Sequence, residues 1–269
     1  MPELPDLEYV VGRLQKEVVG RTINEVLVKQ PGVLKVPRQH FAEICTGQKL
    51  EHVERVGHFV LWSVGQTHRL VMHLMLAGRF QLAKPTAPKP FEWCWAFTLS
   101  DGNELRYLDD RTMGRAYLVT RAQTDTVPGL ATLGRPVLSD TFSLEYFRKT
   151  IDGRRDMVRN FLLDKEAIAS IGNAYADEIL FDAKLHPKIK CNTLTAPEVQ
   201  TLYESVGKVL RAAVAEVARR QEPIEVKVRD FLKVRKRTGK PCPTCKTPIA
   251  MVKMGSAEAN FCPKCQPAR

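Results

Sequence analysis

Apolar positions along the first third of the chain fall into two periods. Leu7, Val10, Val11, Leu14 and Val18 recur at helical spacing, which predicts a helix over Leu7–Val18 stopped by Gly20. Short β-like runs follow at Ile23–Val28, Leu50–Arg55, Phe59–Val64, Leu70–Leu76, Trp93–Leu99, Glu104–Leu108 and Ala116–Val119. Turn residues such as Asp101-Gly102-Asn103 separate them. This is the pattern of an all-β sandwich or barrel behind one N-terminal helix. Proline keeps Lys84–Pro90 out of any central strand, so that stretch is expected to be a loop.

Beyond about Pro136 the period becomes helical. Helices are expected over Leu144–Ile151 and Asp156–Leu163, from Asn173 through Phe181, and from Pro197 to Arg220. The last carries Val199, Leu202, Val206, Val209, Leu210, Ala213 and Val217 on one stripe, and Thr195 with Glu198 forms a capping-box signature at its start. A basic connector, Lys227 to Arg237, leads to a cysteine-rich end. The layout is α+β and multidomain: a β domain over residues 1–135, a helical domain over 136–225, and a connector with a small zinc hairpin over 226–269.

Cysteine spacing adds the first chemistry. Cys242 and Cys245 form one CxxC unit and Cys262 and Cys265 another, whereas Cys45, Cys94 and Cys191 are isolated. Two such turns place four thiolates around one ion, the donor set of a tetrahedral zinc site. With all four positions filled, no site is open for catalysis, so the expected cofactor is one structural Zn²⁺. A redox dithiol is the alternative, but it needs only one pair. The three lone cysteines read as small buried hydrophobes.

Charge narrows the partner. The 269 residues include 41 Lys or Arg against 30 Asp or Glu, a formal +11, which suggests a polyanion, with nucleic acid first. No run approaches the roughly 18 apolar residues of a membrane span. The acidic, proline-bearing start is unlike a signal peptide, so the cytosol is the expected address.

That start is itself reactive. Removal of Met1 is expected before a small second residue, and it exposes a secondary amine at Pro2. An α-amino group titrates around 8, so its uncharged nucleophilic form is accessible near neutrality. Attack on an aldehyde-like carbon yields an iminium, an obligate cation and electron sink. Glu3 lies beside it as a proton donor or acceptor. The plain alternative is an exposed start whose proline merely resists peptidases.

Several segments together resemble the formamidopyrimidine-DNA glycosylase and endonuclease VIII family. They are the start MPELP, HLMLAG from His73 to Gly78, YLDDRTMG from Tyr107 to Gly114, LGRPVL from Leu133 to Leu138, and LLDKEAIASIGNAYADEILF from Leu162 to Phe181 with His186-Pro187 after it. The cysteine module ending at Gln266 closes the series. They occur in family order over nearly the whole chain.

The resemblance implies an N-terminal β-sandwich with flanking helix, a helix–two-turn–helix domain and a Cys₄ zinc finger. The partner it implies is double-stranded DNA with a damaged base, bound by a monomer in the bacterial cytoplasm at the nucleoid. The damaged nucleotide is flipped out because its target atom is unreachable inside the duplex. Pro2 attacks the anomeric carbon and expels the base, Glu3 assists at the sugar, and the iminium drives β- and δ-elimination. Gly172 and Asn173 correspond to a phosphate grip at a helix start, although an ordinary turn and Asn cap would look alike. Arg111 corresponds to the residue that fills the vacated gap. Leu76 and Met113 correspond to apolar wedges, with β-domain core as their alternative. His73 is carried over as a DNA contact.

Departures from the family pattern are specific. His58 stands where the family uses a Lys near the lesion, so a fixed charge is replaced by a mostly neutral ring at the DNA. Ala257 stands in place of the zinc-finger Arg, leaving Lys253 and Lys264 as partial substitutes. Ser170 replaces a glycine, and the Gly-rich lesion-capping loop of the 8-oxoguanine enzymes is missing before Cys242. Formamidopyrimidines, 8-oxoguanine, oxidised pyrimidines and hydantoins all stay open as substrates. The leading expectation is a base-excision repair glycosylase with AP lyase activity. The alternative is a damaged-DNA-binding homologue that has lost efficient excision, and a zinc-ribbon regulator is a weaker third.

Overall fold

The computed structural model describes residues 2–255 and 257–268. Met1, whose removal the proposed chemistry needs, lies outside the described residues. The chain divides into two compact units, Met1–Ala131 with Val217–Lys227, and Thr132–Glu216 with Val228–Arg269.

In the first unit, α1 (Leu4–Glu17) precedes β1 (Ile23–Val28), α2 (Arg38–Cys45), β2 (Leu50–Val56), β3 (Phe59–Val64), β4 (His68–His73), β5 (Arg79–Ala83), β6 (Trp93–Leu99), β7 (Glu104–Leu108) and β8 (Arg115–Thr120). The strands form two four-stranded antiparallel sheets, ordered β1-β6-β7-β5 and β2-β3-β4-β8. Apolar side chains from both, among them Trp62, Leu70, Met72, Phe80, Trp95, Phe97 and Tyr107, share one core. The expected β-sandwich is thus present, with α1 laying Leu7, Val10, Val11 and Leu14 on the same core. Ile224 from the segment after the long helix joins it, and Glu222 O accepts from Tyr9 Oη at 2.6 Å.

Several boundaries differ from the sequence pattern, most by one residue and a few by more. The first helix starts at Leu4 and ends at Glu17, because Glu3 takes the extended N-cap conformation and Pro5 sits in the first turn, where its missing N–H costs nothing. The strand expected over Leu70–Leu76 runs instead from His68 to His73, because Met75 turns to a positive φ of 50°. Two elements, α2 and β5, are too short for their apolar spacing to announce them: α2 buries only Phe41 and Cys45.

The second unit holds a two-residue parallel pair, β9 (Arg135–Pro136) and β10 (Ile168–Ala169), and the helices α3 (Leu144–Ile151), α4 (Val158–Leu163) and α5 (Asn173–Asp182). The long helix α6 (Ala196–Arg220) crosses the division between units, and the hairpin β11 (Ala250–Met254) with β12 (Ala257–Phe261) ends the series. Ser143 caps α3 by accepting from Tyr146 N, and Glu198 accepts from Thr195 N at 2.8 Å to start α6. Helix α4 begins at Val158, two residues later than the pattern predicts.

Candidate active site and nucleic-acid interface

Pro2 and Glu3 are both buried, at the N-terminus of α1. Glu3 N–H donates to Asp6 Oδ2 at 2.8 Å, half of a reciprocal capping box that fixes the start of the chain against its own helix. Pro2 lines a small cleft with Asp6, Leu74, Arg79, Glu225 and Lys227. Charged groups therefore surround the candidate nucleophile within a mostly apolar wall of Leu7, Val10, Phe80 and Ile224.

Two turns of the sandwich adjoin this cleft. The first, after β4, is shaped by Met75 N–H donating to His73 Nδ1 at 3.0 Å, which leaves Leu76 47% exposed. Lys227 Nζ donates to Leu76 O at 3.5 Å. The second turn is organised by buried Asp109, whose carboxylate accepts from Arg111 N at 3.0 Å and from Gly114 N at 2.7 Å. Arg111 is exposed and Met113 is 41% exposed. Neither Leu76 nor Met113 belongs to the β-domain core. Arg79 ties the turns together, donating to Ala77 O at 3.2 Å and pairing with Asp110 and Glu92.

Beneath both turns sits one hydroxyl. A Cβ added at Gly78 would lie 2.3 Å from Tyr107 Oη, and one at Gly114 only 1.8 Å from it. Glycine at the end of each segment is thus a steric requirement of the same buried tyrosine. His58 and His73 pack edge to face with ring centroids 4.5 Å apart, and Phe59 stacks on His58 at 4.5 Å. The half-buried His58 is held inside this aromatic group, a different environment from that of a long, mobile lysine.

In the second unit, Asn173 opens α5 behind Gly172. Arg159 Nη2 donates to Asn173 Oδ1 at 2.9 Å, and because arginine has no acceptor the amide oxygen must face it. The NH₂ of the exposed Asn173 is then turned away from Arg159. Arg159 and Asp177 are paired at 2.8 Å and almost fully buried. Asp177 also takes Arg235 and the backbone N–H of Asn260, and both guanidinium groups reach Glu258 O. Lys253 lies exposed across the hairpin from Glu258. The start of α5 and the zinc hairpin are therefore one hydrogen-bonded assembly.

Sequence reasoning missed Asp6, which caps its own helix, and Arg159, Asp177 and Glu178, whose roles depend on contacts distant along the chain. Glu178 accepts three consecutive backbone N–H groups, from Lys233, Val234 and Arg235, each at 2.9 Å. Burial nonetheless holds its carboxyl above the ordinary range. Ser170 adopts a φ of 86°, the left-handed region natural to the glycine it replaces, at a cost of about 1–2 kcal/mol.

The four sulfur atoms of Cys242, Cys245, Cys262 and Cys265 lie within 4.8 Å of one another. Zinc–sulfur bonds of about 2.3 Å imply tetrahedral edges near ~3.8 Å, so the cluster fits one structural Zn²⁺. Gln266 locks it in place, accepting from Cys262 N and donating to Leu185 O. The three remaining cysteines are buried, and burial pushes the Cys45 thiol up to about 12 and Cys94 to about 11, so neither is a nucleophile near neutrality.

Comparison with known proteins covers the chain in three stretches. Residues 1–116 match the formamidopyrimidine-DNA glycosylase N-terminal domain and residues 133–222 its H2TH domain. Residues 239–268 match the zinc finger found in FPG and IleRS. The chain belongs to the formamidopyrimidine-DNA glycosylase family. A relative of that name from Symbiobacterium thermophilum is 37% identical over 274 residues, spanning 99% of this chain and 90% of its own. One from Listeria innocua is 32% identical, spanning 99% and 100%. Lactococcus lactis Fpg, solved with DNA containing an abasic site, superposes with a TM-score of 0.92 at 25% identity over 99% of this chain and 100% of that one. The same protein with N7-benzyl-Fapy-dG DNA gives 0.92 at 26%, with the same coverage. Among the described residues, no helix is long and apolar enough to cross a membrane.

Proposed function

We propose that this chain excises oxidised purines from duplex DNA as a bifunctional glycosylase and AP lyase, with Pro2 as nucleophile. The observation that carries this is a buried Pro2 at the capped start of α1, ringed by Asp6, Arg79, Glu225 and Lys227, in a family member. Once Met1 is removed, the Pro2 nitrogen attacks C1′ of the everted nucleotide and the base departs. The resulting iminium acidifies the C2′ proton, so the 3′ phosphate leaves, and a second elimination releases the 5′ phosphate. Glu3 handles the proton at the sugar, and its capping contact to Asp6 holds it beside the amine.

Binding is divided between the units. Arg111, Leu76 and Met113 fill the gap left by the flipped nucleotide, while Gly172 and Asn173 hold a phosphate at the start of α5. His58 and His73 line the strand beside the Leu76 turn, and Lys253 adds a charge from the hairpin. The zinc holds that hairpin in shape and takes no part in the reaction. The enzyme acts as a monomer in the bacterial cytoplasm, on nucleoid DNA.

Single-turnover excision on matched duplexes carrying 8-oxoguanine or Fapy-dG tests the reading. Wild-type protein should release the base and nick the strand, and Pro2→Gly should do neither. Equal nicking by the Pro2→Gly variant would reject Pro2, and binding without release by wild-type protein would favour a binding-only homologue.

A further inference from the structure

The proline-rich stretch between β5 and β6 has no regular structure, yet it is rigidly built. Arg106, on the outward face of β7, is 1% exposed. Its guanidinium donates to three carbonyls of the stretch, Lys84 O at 3.0 Å, Ala87 O at 2.8 Å and Pro88 O at 3.2 Å. Glu104, equally buried, pairs with Arg106 at 2.7 Å and with Lys89 at 2.9 Å. A buried arginine with its donors spent on loop carbonyls fixes the backbone of a segment that lacks its own ladder.

What this scaffold displays is an aromatic ring in water. Phe91 is 91% exposed. Lys29 Nζ stands 4.6 Å from the Phe91 ring centre and 5.8 Å from that of Trp93, and Lys89 Nζ stands 5.7 Å from Trp93. Rings and a cation therefore alternate, Phe91, Lys29, Trp93, where the end of β1 meets the start of β6, with Lys89 beyond Trp93 held by Glu104. A hydrophobic contact cannot be the reason for Phe91, because it covers almost nothing. Alternating rings and positive charges on a rigid base match the way unpaired nucleotides are held: bases stack on π-faces and phosphates meet the cations.

We infer that this ladder is a secondary binding platform for single-stranded DNA, with one unpaired base stacking on Phe91 and an adjoining phosphate meeting Lys29. It is independent of the Pro2 chemistry, and it would seat an unpaired stretch such as an overhang or gap.

Fluorescence anisotropy with a labelled, lesion-free oligo(dT) tests this on the full zinc-loaded chain. Phe91→Ala should weaken binding by roughly tenfold, and Phe91→Trp should restore it, as expected for a stacking base. Lys29→Ala should lower the slope of log K against log salt by about 0.7. Photocrosslinking of an iododeoxyuridine oligonucleotide should label the peptide containing Phe91. Thermal melting of Phe91→Ala should be unchanged, and so should borohydride trapping on a blunt lesion duplex. Oligo(dT) binding by Phe91→Ala equal to wild type, or crosslinks mapping elsewhere, would overturn the inference. So would Phe91-dependent capture of an Asp/Glu-rich peptide without any of the oligonucleotide. Failure of trapping in wild-type protein that still binds oligo(dT) through Phe91 would count against the proposed function alone.

Discussion

Replacing Gly114 with alanine should collapse the turn that presents Arg111 and Met113. The new Cβ would lie 1.8 Å from Tyr107 Oη, 2.9 Å from its Cζ and 3.0 Å from Asp109 Oδ2. Carbon–oxygen contacts are ordinarily no closer than about 3.3 Å. Tyr107 cannot retreat, because its buried ring stacks on Trp95 at 5.6 Å and packs on Phe80 at 5.8 Å. The turn must move instead, and it loses the 2.7 Å bond from Gly114 N to Asp109. Overpacking costs about 1–3 kcal/mol and a lost bond to a carboxylate about 1.5–3 kcal/mol, so the sum is roughly 3–5 kcal/mol. At about 2–4 °C per kcal/mol for a chain of this size, the melting temperature should fall by roughly ten degrees. Circular dichroism melts would read this, and anisotropy on an abasic-analogue duplex would read the lost presentation of Arg111. Gly12→Ala is the control: nothing lies within 4 Å of its added Cβ, so helix propensity should raise stability by about 0.5–1 kcal/mol. Adding Tyr107→Phe to Gly114→Ala removes the worst contact and should recover part of the loss. A Gly114→Ala protein that melts within a degree of wild type and binds normally would refute the shared-seat reasoning, and a double variant no better than the single would show that the hydroxyl is not the obstacle.

Other outcomes follow from the same contacts. Asp177→Ala strands Arg159 and removes a ligand of Arg235 and Asn260, so the second unit should lose about 3–5 kcal/mol in denaturant melts. Zinc chelation should unfold the hairpin and abolish duplex binding, and full affinity in chelated, metal-free protein would remove the finger from the interface. Leu76→Ala and Met113→Ala, at exposed positions, should weaken binding to an abasic-analogue duplex several-fold while leaving the melting temperature within about a degree.

Much of the scaffold was legible because its signals are local. The α1 stripe, the β3 run that is apolar but for Ser63, and the paired CxxC turns each lie within a few neighbouring residues, and each forms as expected. Helix α2 and strand β5 were not legible: each is short and half solvated, and gains its stability from what packs on it. The end of β4 was misplaced because Leu74-Met75-Leu76 reads as apolar strand, whereas the turn uses those residues to expose Leu76. In β7, the charged Glu104 and Arg106 are buried because the loop from Lys84 folds over them. At the site, resemblance pointed to Pro2, Arg111 and Asn173. Of the groups that hold them, Asp6 and Asp109 act through bonds two to five residues along the chain, in a capping box and a turn that the sequence reading did not pick out, and only Arg159 reaches across fourteen residues.

The account rests on covalent capture by the first amine of the mature chain. Borohydride reduction of the protein incubated with a duplex containing 8-oxoguanine or Fapy-dG, followed by tandem mass spectrometry of the digest, tests it most directly. The expected product is an N-terminal peptide lacking Met1 and carrying the reduced sugar on Pro2. A reduced adduct on a lysine, or base release from protein that retains Met1, would contradict it.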